Sequence, residues 1–308
     1  MITTITLNPS VDRRYMIGEF ETGKLFRTSE YAATAGGKGL NVTRVAHCLE
    51  APVIATGLLG GKSGGVIEAE LDHAGISHQF LGIEGETRSC IAVLSQDGGQ
   101  TEILESGPIA RNEDVANFLL HYETLLNQTS VVVASGSLMR GMPVDLYARI
   151  IELTREKNIP FLLDTSGEAL REGIKASPSL IKPNQEELES YAGKSLQNEE
   201  DLIAVAKELA EQIPTVVVSL GGEGSLVVHK KQVYRVHLPN VVVKNPVGSG
   251  DSMVAGFAVG ILRGYDIKKT IAFAAACGTA NAMEESTGAV DKDLVAGLMK
   301  QIRVVLIE

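Results

Sequence analysis

The sequence predicts an α/β fold: a mostly parallel sheet with helices on both faces. Short β-branched runs alternate with helical patterns along most of the chain. Several runs are apolar at nearly every position, as strands buried on both sides require. The 308 residues, 44% apolar and 21% charged, supply one large core and exclude a disordered chain.

In chain order, Ile2 to Leu7 reads as a buried first strand that ends at the turn pair Asn8-Pro9. No basic leader precedes it, so it does not read as a signal peptide. Residues 10–32 and 88–105 look like short strands and hairpins, the second turning at Asp97-Gly98-Gly99. They read as two surface hairpins or, paired together, as a lid able to close over a ligand. "SVVVASG" (130–136) precedes a helix near 143–157, and "IPFLLD" (159–164) one near 168–176. A helical stretch near 198–213 leads to the strand "TVVVSLGG" (215–222), and "VVVKN" (241–245) reads as a further strand. Helices are expected at about 249–264, 267–284 and 291–303. The domain reading is a main unit of 1–9, 33–86 and 106–308, with 10–32 and 87–105 as the lid.

A net charge of −10 argues against nucleic acid or an anionic membrane as partner. No apolar run reaches the ~20 residues of a membrane span. Cys48, Cys90 and Cys277 are odd in number, far apart and without CxxC, which fits a reduced, cytoplasmic compartment. The six histidines show no metal-ligand spacing.

Two glycine-rich stretches carry the chemistry. In "KNPVGSGDSMVAG", Val247 to Asp251 fall at a helix start, where backbone N–H groups lack partners and the dipole favours an anion. Glycines let those amides approach a phosphate, and Asp251 is a carboxylate placed to accept a proton. The plainer alternative is a glycine turn with Asp251 as cap. In "AGGKGLNVTRVAHCLE", Gly36, Gly37 and Gly39 precede a second helix bearing Lys38, Asn41 and Arg44. A linker would not require those polar groups. Neither a dinucleotide fingerprint nor a P-loop is present, which argues against a dehydrogenase and a P-loop nucleotidase.

"GGKGLNVTR" and "NPVGSGDS", in that order and separation, resemble the two signatures of the ribokinase-like carbohydrate kinases, phosphofructokinase B branch. The resemblance spans nearly the whole chain. It implies a Rossmann-like domain with a β-sheet lid, ATP and Mg²⁺, and phosphoryl transfer to a phosphorylated ketohexose. Asp251 then resembles the catalytic base, the amides of Gly248, Ser249 and Gly250 its anion hole, and Lys38 a cation at the transferring group. Asp12, Gly36, Gly37, Lys38, Asn41, Ser137 and Asp251 would face the sugar. Lys24, Arg27 and Arg88 on the lid segments would bind its phosphate. The resemblance gives the nucleotide Lys182, Asn184, Ser219, Gly221, Gly222, Gly224, Val247, Gly248, Gly250, Ala275, Gly278 and Thr279. Asn184 and Glu187 of "KPNQEEL" would order Mg²⁺ through water, or else serve only their helix start. "SGSLMRGMP" departs from the usual Ser-Leu-Pro at Met139-Arg140. A homodimer through the lid is expected. A non-catalytic sugar-phosphate sensor would predict a lost base or blocked anion hole, and neither loss is seen.

Overall fold

The structure, a computed structural model, describes all 308 residues. β1 (Ile2–Thr6) is buried along its whole length. It is followed by β2 (Ser10–Ile17), β3 (Tyr31–Gly36), α1 (Lys38–Cys48), β4 (Val53–Gly60), α2 (Gly61–His73) and β5 (Ser77–Ile83). β6 (Arg88–Ser95) and β7 (Gln100–Leu104) form a hairpin, its turn fixed by Asp97 accepting from Gly99 N at 2.9 Å. The strand–helix alternation then runs α3 (Asn112–Leu126), β8 (Val131–Ser135), α4 (Leu146–Glu156), β9 (Phe161–Asp164), α5 (Gly167–Lys175) and β10 (Leu180–Ile181). The chain ends with α6 (Gln185–Ala192), α7 (Glu199–Leu209), β11 (Thr215–Ser219), β12 (Ser225–His229), β13 (Gln232–His237), α8 (Ser249–Leu262), α9 (Ile267–Met283), α10 (Lys292–Met299) and β14 (Arg303–Leu306).

Ten strands make one sheet in the order β14-β13-β12-β11-β10-β9-β8-β1-β4-β5. It is parallel from β11 to β5 and antiparallel from β11 to β14. Alternate strand residues point to opposite faces. Ile5, Val132 and Leu163 therefore join the core under α3 to α7, while Ile2, Val133 and Leu162 join that under α1, α8, α9 and α10. Those paired cores are why the central strands are apolar throughout.

The second sheet, β3-β2-β6-β7, is the small lid. β2 and β6 pair in parallel from Ser10↔Arg88 to Ile17↔Ser95, so the two irregular segments do combine. β3 extends to Gly36, four residues beyond the first segment. At its root Val11 and Ala35 pack with Ile67 and Leu71 of α2.

Two strand and helix expectations are corrected. Residues 241–245 form no strand. Lys244 N and Asn245 N both donate to Ala282 O, at 2.8 and 3.2 Å, and Val242 and Val243 are exposed, so the run is a strap to the end of α9. The last helix stops at Met299, because Arg303–Leu306 pairs with β13 as an edge strand. The β12–β13 hairpin breaks the helix-joined rule after β11.

Candidate active site

β9, β10 and β11 end on one edge of the sheet, the C-terminal edge where open α/β sheets place their ligands. Asp164 closes β9, Lys182 follows β10, and Ser219 closes β11. The start of α8 faces them. Gly248 caps that helix at φ +82°, a left-handed conformation that favours glycine, and a Cβ there would lie 2.6 Å from Thr287 Cγ2. The amides of Gly248, Gly250 and Asp251 find no acceptor within the protein. Ser249 N differs from the sequence expectation: it donates to Pro246 O at 3.2 Å. The open amides are thus those of residues 248, 250 and 251.

The segment before α8 is held by a side-chain lattice that sequence reasoning missed. Asn281, fully buried in α9, donates to Val247 O at 2.8 Å and accepts from Gly288 N at 2.8 Å. Asn245 accepts from Val247 N at 3.0 Å and donates to Glu285 O at 3.2 Å. A polar residue inside the apolar run "AFAAACGTANA" is the only signal that Asn281 gives in advance.

Asp251 is 6% exposed and accepts from Asn41 Nδ2 at 2.7 Å. Burial pushes its carboxyl up to about 6; the nearby Asp164 adds to this, while the Asn41 bond, Lys38 and Lys182 oppose it. Asp164 was missed too, although an acid terminating an apolar strand run is a legible cue. It is 1% exposed, its Oδ1 lacks a hydrogen bond, and Lys182 Nζ stands 3.5 Å away. The Lys182 ammonium lies over Gly250, 3.2 Å from where a Cβ would sit. Lys38 opens α1 exposed to solvent, its pKa raised chiefly by Asp164 and further by Asp251 and Glu187, against partial burial. Two lysines and a row of free amides thus converge on space beside one buried carboxylate. A phosphoryl group in flight needs that charge pattern.

Asn184 and Glu187 cap α6 reciprocally: Asn184 Oδ1 accepts from Glu187 N at 2.7 Å and Glu187 Oε2 from Asn184 N at 2.9 Å. No three His, Cys, Asp or Glu side chains are grouped to hold a metal directly. The unbonded Asp164 Oδ1 and the charge of Glu187 felt at Lys38 suit a hydrated cation held through water.

On the lid side, Asp12 accepts from Ser10 Oγ at 2.6 Å. Burial raises its pKa, while the Ser10 bond, Arg44 and Arg88 oppose that rise. Gly36 is required here, since a Cβ would fall 2.1 Å from the Asp12 carboxyl carbon. Gly37, at φ +112°, caps α1 against Thr6 and Pro9. Arg88 donates to Asn8 O at 3.1 Å, and Asn8 donates to exposed Ser137 at 3.1 Å, tying lid root to substrate loop. Lys24 and Arg27 sit in the exposed connection between β2 and β3, away from any strand; Lys24 pairs with Glu21 at 3.7 Å. The departure at Met139-Arg140 is absorbed structurally: Met139 is buried in the core and Arg140 donates to Gly107 O at 2.8 Å.

The Gly221–Glu223 turn follows Ser219, with Gly221 and Gly222 exposed and Gly224 buried against Val236 O. In α9, Ala275 and Thr279 are buried and Thr279 donates to Ala275 O at 2.9 Å. Gly278 admits Ser249 O, 2.9 Å from where a Cβ would be, so its first role is close helix packing.

Fold and site together define a carbohydrate kinase of the ribokinase-like class. The chain belongs to the pfkB family of carbohydrate kinases, matching it over residues 2–293. A tagatose-6-phosphate kinase of Staphylococcus epidermidis is 42% identical over 309 positions, covering 99% of each chain. Phosphofructokinase-2 of Escherichia coli, solved with potassium, has a TM-score of 0.90 at 25% identity, over 97% of this chain and 98% of its own. Arabidopsis thaliana ribokinase, solved with ribose and ATP, shares the fold: TM-score 0.80 at 21% identity, over 97% and 98% of the two chains.

Proposed function

We propose that this kinase phosphorylates tagatose 6-phosphate, using Mg²⁺-bound ATP and forming tagatose 1,6-bisphosphate. The buried Asp251 beside the open amides of residues 248, 250 and 251 carries the reading. Asp251 takes the proton of the attacking sugar hydroxyl as its oxygen bonds to the γ-phosphorus and the bond to the ADP oxygen breaks. The free amides, Lys38 and Lys182 meet the charge on the transferring group. Bound ATP supplies that group; Asn184 and Glu187 would hold Mg²⁺ through water, and the ion would supply charge that neutralises the ATP phosphates. Lys182, Ser219, Gly221, Gly222, Gly224, Val247, Ala275, Gly278 and Thr279 hold the nucleotide. Asp12, Gly36, Gly37, Asn41, Arg88 and Ser137 hold the sugar phosphate, with Lys24 and Arg27 reaching it from the lid. The three cysteines are unpaired, and no helix is long and apolar enough to cross a membrane; we assign the enzyme to the cytoplasm.

"GETRSCIAVL", "TEILESGP" and "NPVGSGDS" resemble tagatose-6-phosphate kinases, and the 42% identical relative supports that sugar over fructose phosphates. Coupled ADP release measured with tagatose 6-phosphate, fructose 6-phosphate and fructose 1-phosphate tests it. The highest kcat/KM is expected with the first. A tenfold preference for fructose 1-phosphate makes the enzyme a 1-phosphofructokinase instead.

A further inference from the structure

Arg44 stands one turn beyond Asn41 on α1, and its guanidinium donates to three oxygens: Ala35 O, Asn41 Oδ1 and, at 3.4 Å, Thr287 O. A guanidinium has no acceptor, so the Asn41 atom facing it is the carbonyl oxygen. The opposite end of that amide, its NH₂, then points to Asp251 Oδ2 at 2.7 Å. Asn41 is 7% exposed. A flipped amide would set NH₂ against guanidinium and oxygen against carboxylate, with little water to relieve either. Arg44 is itself anchored away from the base. Ala35, whose carbonyl it holds, is gripped from the other side by Glu70, which accepts from Ala35 N at 2.6 Å.

We propose that Arg44 is a positioning residue for phosphoryl transfer: it locks the Asn41 amide in the one orientation that donates to the Asp251 carboxylate. The inference rests on Asp251 being the base. Asp251 is faced by Asp164 from β9, Lys38 and Asn41 from α1, and Lys182 after β10; Arg44 is faced by Glu70, Asp12 and Asp251. Of these, the Asn41 donor is the group whose direction Arg44 dictates. Releasing it removes a bond that favours ionised Asp251, and loss of the guanidinium charge acts in the same direction.

The test is the pH profile of kcat with saturating ATP and sugar phosphate. Arg44→Gln is expected to move the acid limb upward by about one pH unit, a tenfold loss below the limb. Its alkaline plateau should stay within threefold of wild type, and the ATP KM within threefold. Arg44→Lys keeps charge and bulk and is the variant that guards against misfolding. A single ammonium does not reproduce the planar fork, so a smaller upward shift is expected. Because Arg44 acts chiefly through Asn41, Arg44→Gln with Asn41→Ser should shift the limb by clearly less than the sum of the two single shifts. An unmoved limb in folded Arg44→Lys and Arg44→Gln, or additive shifts in the double variant, overturns the proposal. Asp251→Asn separates the two readings. If that variant keeps most of its activity and the acid limb, the base assignment fails; if it is inactive while the Arg44 limb stays put, only this inference fails.

Discussion

As the proposed base, Asp251 would meet two opposed demands: a base must be ionised to work, yet burial beside Asp164 favours its protonated form. Its pKa near 6 sets the balance, so kcat should rise with pH through about 6 and level off above it. Asp251→Asn removes the acceptor and should lower kcat by roughly 10²–10⁴. The same change should stabilise the fold at pH 7. A carboxyl whose folded pKa exceeds its ordinary 3.8 contributes stability below 3.8, and that contribution is lost as pH rises through 6. At pH 7 the buried charge is a cost, so the asparagine is expected to add about 1 kcal/mol in urea unfolding. A variant keeping a third of wild-type kcat removes Asp251 from the base role. The residues of this site divide by how they announce themselves. Asp251, Gly248, Lys38 and Asn41 lie in two glycine-rich stretches at helix starts, a local pattern that suits an anion. Asp164 and Asn281 reach the site through sheet order and helix packing, and nothing local distinguishes them from a strand end or a helix interior.

At the scale of elements, helix starts do the positioning, and each is built differently. α8, capped by Gly248 without a side chain, leaves the amides of Gly250 and Asp251 open, whereas α6 closes its own with Asn184 and Glu187. Asn184 therefore has a structural duty that coexists with any contact to hydrated Mg²⁺. Asn184→Ala should cost about 1 kcal/mol of stability. Asn184→Ser restores a cap and is expected to recover that stability, while still requiring more Mg²⁺ for half-maximal rate. Wild-type Mg²⁺ dependence in the serine variant would leave Asn184 a cap and nothing more. Elements were legible where one physical cause dominates: "SVVVASG" is apolar throughout because helices cover both faces. "VVVKN" carries the same Val triplet but pairs with no strand. Its amides turn to Ala282 O instead, and β-propensity alone does not reveal such a partner.

For the whole molecule, the open question is what covers the lid. Its cleft-facing side carries Asp12 and, by register, Arg14, Arg88 and Cys90, with Met16, Leu94 and Leu104 on the same side. The alternate positions give the other side Tyr15, Tyr31, Ile91, Val93 and Ile103, placed as neighbours across the four strands around the one charge of Arg13. Only the root of that side rests on α2; farther out Tyr31 is 70% and Ile103 57% exposed. A small sheet does not shelter such a face alone, and an exposed apolar sheet face is a surface for association. We propose that two copies join lid to lid, so that light scattering at micromolar concentration gives twice the 32.8 kDa chain mass. Ile103→Glu with Tyr31→Glu should convert that dimer to monomer without disturbing the main core, which neither residue touches. Because Asp12 and Arg88 sit on the opposite side of the same strands, losing the partner should loosen their alignment. The monomer is then expected to show a sugar-phosphate KM at least threefold higher with ATP KM nearly unchanged. A wild-type enzyme of monomeric mass rules the lid dimer out, and a monomeric variant with unaltered KM shows that the lid holds its substrate unaided.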